Sequence, residues 1–183
     1  MVRKLRYHEQ KLLKKFDFIS WEVDSNTLHE NDIMRKYCIP KREEYTLYNQ
    51  LSREIRNMAE KIVLLDQSDV LRTELTKLFL DKLYDIGLIS HKQSLEVAAG
   101  LNASSFCRRR LPVVMKRSGM AESIKQCSQY VEQGHVRVGI ELITDPAYLV
   151  TREMEDFITW VDNSSIRKKI DVYNDIDDDF ENE

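Results

Sequence analysis

The sequence predicts an α+β chain: a helical hairpin, then a small unit of two helices packed on a mostly antiparallel sheet, then an acidic tail. Three observations predict it. From Leu47 to Ile86 apolar residues recur every three or four positions, the period of a helix with one buried face. From Leu111 to Val150 two shorter helical patterns, each closed by a glycine, give way to alternating strand-like runs. From Asp171 to Glu183 there are seven acids and no Lys or Arg, a run that repels itself and favours water over a core. The chain therefore divides into a basic arm with a docking segment (1–39), a helical hairpin (40–101), the α+β unit (102–165) and the acidic, disordered tail (166–183).

Each element has its own signals. Residues 1–15 carry Arg3, Lys4, Arg6, Lys11, Lys14 and Lys15 against the single acid Glu9. A mitochondrial presequence shares that basicity, but this segment lacks serine and favours lysine. A basic arm that orders on RNA is the other reading. Phe16, Phe18, Ile19 and Trp21 follow and are too apolar for a free tail, so they are expected to dock. After Pro40 the seam Leu47, Leu51, Ile55, Met58, Ile62 and Leu65 predicts one long helix. Ser68 is the expected N-cap of a second, with Leu71, Leu75, Leu78, Phe79, Leu83 and Ile86 on one face and Gly87 at its end. Such a pair buries its seams against each other or presents them to a coiled-coil partner. Pro112 opens a short helix where its missing N–H costs nothing, and Gly119 breaks it. Met120, Ile124, Cys127 and Val131 mark the face of the next helix, which Gly134 stops. His135 to Val138 alternates as a strand, and Leu142-Ile143 and Tyr148-Leu149-Val150 supply two more.

Charge gives the α+β unit a function. Between Asn102 and Val138 stand Arg108, Arg109, Arg110, Lys116, Arg117, Lys125 and Arg137, with only Glu122 and Glu132 against them. That is a net +5 on a small unit, inside a chain of formal net charge −3. Three adjacent arginines repel one another and offer folding nothing, whereas a polyanion would use them. Singly, each of these cations also has the plainer role of a charge facing water. The N-terminus of a helix beginning near Met120 would add unpaired N–H groups for a phosphate. His135 stands at the strand entry, either hydrogen-bonding RNA or packed as a structural side chain. The tail hides this basic body: without its seven acids the chain would hold 28 basic against 24 acidic residues, a net +4. Three roles stay open for it, namely a solubilising segment, an internal mimic of RNA, and a docking strip for a basic partner.

Other classes find little support. The longest apolar run falls well short of the roughly 20 residues a membrane span needs. Cys38, Cys107 and Cys127 form an odd set without CxxC spacing and read as reduced thiols, and no zinc pattern joins them to the four histidines. The five glycines make no phosphate-binding loop, and no Ser-His-acid or paired-carboxylate spacing stands out. No cofactor and no catalytic group is expected.

Several of these pieces resemble a known family. Arg109-Arg110-Leu111, Gly119-Met120-Ala121, Gly134-His135-Val136-Arg137-Val138 and the close from Pro146 to Val150 stand in the order found in the αL-type RNA-binding domain of the small-subunit ribosomal protein S-four family. The chain departs from it at the hairpin, with Gly139-Ile140-Glu141 where many members have Asn-Gly. Lys41-Arg42-Glu43, Leu64-Leu65-Asp66 and Leu83-Tyr84-Asp85-Ile86-Gly87 resemble the helical hairpin of eukaryotic ribosomal members, so the likeness runs from about residue 41 to 162. The ends, VRKLRYHEQKLLKKFDF and REMEDFITW, look closer to a ribosome-biogenesis branch of the family, the S-four-like proteins of the U3 small nucleolar ribonucleoprotein in the small-subunit processome. What that resemblance implies is a nuclear, nucleolar, non-enzymatic factor, a monomer within a large ribonucleoprotein. It would contact U3 small nucleolar RNA and pre-rRNA and help them base-pair for early 18S processing. Its partners would be an acidic phosphoprotein scaffold and a second small RNA-binding protein. A protein-interaction adaptor, or a structural protein of the small ribosomal subunit, is the alternative.

Overall fold

The computed structural model describes residues 3–13, 22–66 and 69–174. The expectations for Lys14, Lys15, Phe16, Phe18, Ile19, Trp21, Ser68 and residues 175–183 lie outside them. Within the described residues the helices are α1 (Tyr7–Leu13), α2 (Glu22–Tyr37), α3 (Arg42–Val63), α4 (Val70–Ile86), α5 (Leu95–Ala99), α6 (Ala103–Cys107), α7 (Leu111–Arg117), α8 (Ile124–Glu132) and α9 (Ser165–Tyr173). Three antiparallel strands, β1 (Val136–Val138), β2 (Glu141–Leu142) and β3 (Ile158–Trp160), stand in the order β2-β1-β3. The α+β class and the helix-first order are as the sequence predicts.

Four helices end the same way. After α2, α4, α7 and α8 a left-handed residue closes the helix, with its own N–H reaching back three residues and the next N–H reaching back five. At three of the four that residue is Gly87, Gly119 or Gly134; after α2 it is Cys38, at φ 50. A side chain there costs about 1–2 kcal/mol relative to glycine. Ile39, next in the chain, drops into the core and Pro40 prevents the helix from resuming.

The helical pair α3 and α4 is present, but its seam is rotated from the expected one. Tyr45, Tyr48, Ser52, Ala59 and Ile62 are the buried residues of α3, and they pack it mainly on α5 and α6 rather than on α4. Leu51 and Ile55 reach the core from its edge, while Leu47 and Met58 face water. On α4 only Leu80 and Leu83 are buried; Leu71, Leu75 and Leu78 are exposed. The reason is steric. Ser52 and Ala59 allow α3 to come close to its neighbours, and Tyr45 and Tyr48 fill the space beside Phe106, with Tyr48 stacked on that ring. The N-cap of α4 is Asp69, whose carboxylate accepts from the Leu71 N–H.

In the α+β unit, Leu111, Val114 and Met115 of α7 meet Cys127 and Val131 of α8, Val136 and Val138 of β1, and Val150 and Ile158. α8 begins at Ile124, later than Met120, because Ser123 caps it: the Ser123 hydroxyl accepts from the Gln126 N–H, and the Gln126 side chain accepts from the Ser123 N–H. The strand reading needs one correction. Tyr148 to Val150 makes no strand of the sheet, and β3 comes from Ile158–Trp160 instead. Tyr148 and Val150 are already engaged with the extended stretch at Arg109 to Leu111, through Leu111 N–H to the Tyr148 carbonyl and Val150 N–H to the Arg109 carbonyl. The β1–β2 hairpin turns on Gly139 and Ile140, with positive φ only at the glycine, as a type II′ turn requires. Finally, residues 165–173, most of which the sequence assigns to the tail, form α9, capped by the Ser164 hydroxyl.

Candidate nucleic-acid interface

The three consecutive arginines sit where α6 ends and the chain runs extended into α7, so each points differently. Arg108 stays at the surface, its guanidinium donating to the Ser104 carbonyl and the Ser105 hydroxyl. Arg109 is only 5% exposed. Its Nε and Nη2 both donate to the Val150 carbonyl, at 2.9 and 2.7 Å, and Nη1 pairs with Glu155 at 3.0 Å. Burial, then the nearby Arg152 charge, pull its pKa down from the usual value, although a guanidinium stays charged in proteins. Arg110 is 1% exposed and donates through Nη1 to Glu44 at 2.5 Å and to the Tyr48 hydroxyl at 3.1 Å.

These two arginines are the main correction to the sequence-based site. Arg109 and Arg110 are buried in this fold and act as interior links rather than as exposed cations. Their self-repulsion is answered by acids and carbonyls distant in the chain, Glu44 for one and Glu155 for the other.

The remaining candidates fall into two sets. Lys116 on α7 and Lys125 on α8 are exposed and, like Arg108, have no acid partner among the described residues. Arg117 is exposed but pairs with Glu155, and Arg137 holds Thr159 and Asp162, the latter shared with Arg167. His135 faces the Ser164 hydroxyl at 3.0 Å through Nδ1, with its ring edge near Tyr130. That contact ties the start of β1 to the cap of α9. In the arm, Arg3 pairs with Glu9, while Lys4, Arg6 and Lys11 are exposed. The α8 N-terminus, expected to offer free N–H groups, has part of that capacity taken by the Ser123–Gln126 box.

Three structural side chains that shape this region escape sequence reading. Arg152 donates to the carbonyls of Tyr84 and Ile89, at 2.8 and 2.6 Å, and its guanidinium lies 4.1 Å from the Tyr84 ring centre. With Arg109 it clamps the α+β unit onto the end of α4; a Cβ on Gly87 would stand 2.7 Å from the Arg109 guanidinium carbon. Glu44 and Glu155, the partners of the buried arginines, are the other two. The sequence offers no periodic signal for contacts 66 and 46 residues apart. Among the described residues no three His, Cys, Asp or Glu side chains gather as metal ligands, and no helix is long and apolar enough to cross a membrane.

Two family models cover most of the chain: the ribosomal protein S4/S9 N-terminal domain matches residues 4–108 and the S4 domain matches 109–156. Full-length relatives agree. The chain is 51% identical over 181 residues to the U3 small nucleolar ribonucleoprotein protein IMP3 of Homo sapiens, covering 99% of this chain and 98% of that one. The chain belongs to the IMP3 family of S4-domain proteins. The Saccharomyces cerevisiae IMP3 is 49% identical over 182 residues, covering 99% of each chain. More distant is the small ribosomal subunit protein uS4 of Metallosphaera sedula, 33% identical over 139 residues, or 75% of this chain and 76% of that one. The match between the two models changes between Arg108 and Arg109, and the structure gives that junction a physical meaning. Arg110, at the start of the second matched region, reaches back into the first at Glu44, so the fold is tied across that boundary, while Arg109 beside it holds Glu155 within the second region.

Proposed function

We propose that this chain is a non-enzymatic RNA-binding factor of ribosome biogenesis that works in a U3 small nucleolar ribonucleoprotein in the nucleolus. It contacts U3 small nucleolar RNA and pre-rRNA and promotes their pairing for early 18S processing in the small-subunit processome, beside an acidic phosphoprotein scaffold and a second small RNA-binding protein. Support comes first from near-complete alignment with relatives named as U3 ribonucleoprotein proteins. The structural observation that carries it is a set of cations for which the fold supplies no counter-charge among the described residues: Arg108, Lys116 and Lys125, with Lys4, Arg6 and Lys11 on the arm. Pairing two RNAs brings two negative backbones together, and cations on a body and on a separate arm screen both. Arg117, Arg137 and His135 join the surface only by exchanging their present partners for RNA, so they rank behind.

A salt titration tests this. U3 RNA is titrated with wild-type protein and with an Arg108→Ala, Lys116→Ala, Lys125→Ala variant over a series of salt concentrations. Each lost phosphate contact reduces the slope of log K against log salt by about 0.7–0.9, so the triple variant is expected to lose about 2–3. In the same samples, annealing of U3 RNA to a pre-rRNA fragment slows. Equal slopes for the two proteins would remove this face from RNA binding. RNA binding without faster annealing would leave a binding protein that does not promote pairing.

A second reading rests on a different observation. Leu64 after α3 and Leu71, Leu75 and Leu78 along α4 are exposed apolar side chains, as a protein-interaction adaptor would need. Retention of particle assembly by the triple variant, with RNA binding lost, favours it.

A further inference from the structure

A groove separates the C-terminal end of α2 from the first turn of α8. It is shallow and open to solvent, with a volume of about 540 Å³. Met34, Cys38 and Pro40 form an apolar floor, Arg35 and Lys125 stand at it, and Asn31 adds an amide. Neither cation has an acid partner among the described residues, although the neighbouring Arg42 is held by Glu30 at 2.7 Å. The fold has thus left two charges open on a groove whose floor is apolar. That floor exists because Cys38 accepts a left-handed conformation and Pro40 follows it, a backbone conformation that costs free energy and is kept.

We infer that this groove takes one unpaired nucleotide of the bound RNA, its base on the Met34–Pro40 floor and its flanking phosphates at Arg35 and Lys125. The inference rests on the RNA-binding function proposed above and places α2 in the interface, which no cation count along the α+β unit would include. A single-stranded segment is the occupant that matches the chemistry. Its bases are splayed and offer flat apolar faces, its backbone carries a negative charge on either side of each base, and it is the form in which RNA presents base edges to protein. The Met34 thioether is a polarisable surface for such a face. The Asn31 amide offers both a donor and an acceptor to a base edge. Lys125 is also one of the unpaired cations described above, so it is shared between the groove and the proposed RNA-binding set. A duplex presents no splayed base, and an acidic peptide has no planar group for the floor.

The groove contains its own reporter. Cys38 is partly exposed, whereas Cys107 and Cys127 are fully buried, and burial pushes the Cys107 thiol up to about 11. Iodoacetamide should therefore label Cys38 in the folded, full-length protein, with peptide mass spectrometry giving the rate at each cysteine. Four conditions are compared: protein alone, a single-stranded RNA of U3 sequence, a duplex RNA of equal length, and poly-glutamate. Binding of each is read by fluorescence anisotropy in the same buffer. At about ten times its Kd, single-stranded RNA is expected to slow Cys38 labelling by about tenfold, the factor 1 + [L]/Kd. Duplex RNA and poly-glutamate are expected to leave the rate unchanged, and Arg35→Ala with Lys125→Ala to abolish the protection. Single-stranded RNA that binds without protecting Cys38 overturns the groove while leaving the RNA-binding function intact. No RNA binding in the anisotropy channel ends both. Protection by poly-glutamate, or equally by duplex, assigns the groove to a different partner and also overturns the inference.

Discussion

Arg108, Arg109 and Arg110 carry the same side chain and do three different things. Arg108 faces water, Arg109 holds a carbonyl and a carboxylate, and Arg110 is almost wholly buried against Glu44 and Tyr48. Removing one member of a buried pair leaves the other charge without compensation, at about 3–5 kcal/mol. Because Glu44 keeps some contact with water, Arg110→Ala is expected near the lower end, about 3 kcal/mol, while Arg108→Ala stays within about 0.5 kcal/mol. Urea denaturation followed by circular dichroism separates them; equal midpoints for the two variants would mean that Arg110 is not a structural link. The charge of this triplet was legible in the sequence, but its direction was not. Which of three consecutive cations turns inward depends on where α6 ends and on acids far away in the chain, and neither leaves a local pattern.

At the scale of elements, the existence of α3, α4, α7 and α8 followed from spacing and from Gly87, Gly119 and Gly134, because helix period and left-handed closure are local properties. The face each helix buries was less legible. Leucine spacing pointed to a seam between α3 and α4, yet α3 turns Tyr45, Tyr48, Ser52 and Ala59 inward and packs on α5 and α6. Small and aromatic residues decided the contact, and a pattern of large aliphatics overlooks both. The third strand departs from the sequence pattern for a related reason: Tyr148 to Val150 has strand-like composition, but its hydrogen bonds go to Arg109 and Leu111. The packing makes a sharp contrast on one helix. Leu83→Ala removes a buried side chain and is expected to cost about 2–5 kcal/mol. Leu78→Glu changes an exposed one and is expected to stay within about 0.5 kcal/mol. Thermal unfolding of the two variants checks this, and a large loss from Leu78→Glu would restore the leucine seam as a buried contact.

For the whole molecule, charge is distributed against the net value. Residues 175–183 contribute six acids, so a chain ending at Asn174 would hold 28 basic against 25 acidic residues, a net of +3 in place of −3. A polyanion approaching the body meets the field of the whole chain before it meets any single side chain, and association rates respond to that field. Truncation after Asn174 is therefore expected to raise the association rate with U3 RNA by about tenfold at low salt. The gain should shrink as the Debye length falls from about 30 Å at 0.01 M to about 10 Å at 0.1 M. Stopped-flow measurements over that salt range distinguish the roles the composition leaves open. A gain that fades with salt is what long-range repulsion, or competition of the acids for Arg108, Lys116 and Lys125, would produce. Competition at the face itself also predicts that the same nine residues, added as a free peptide, inhibit the truncated protein, which repulsion alone does not. No change in rate at any salt concentration would place the acids away from the RNA path and leave them to solubility or to a basic protein partner.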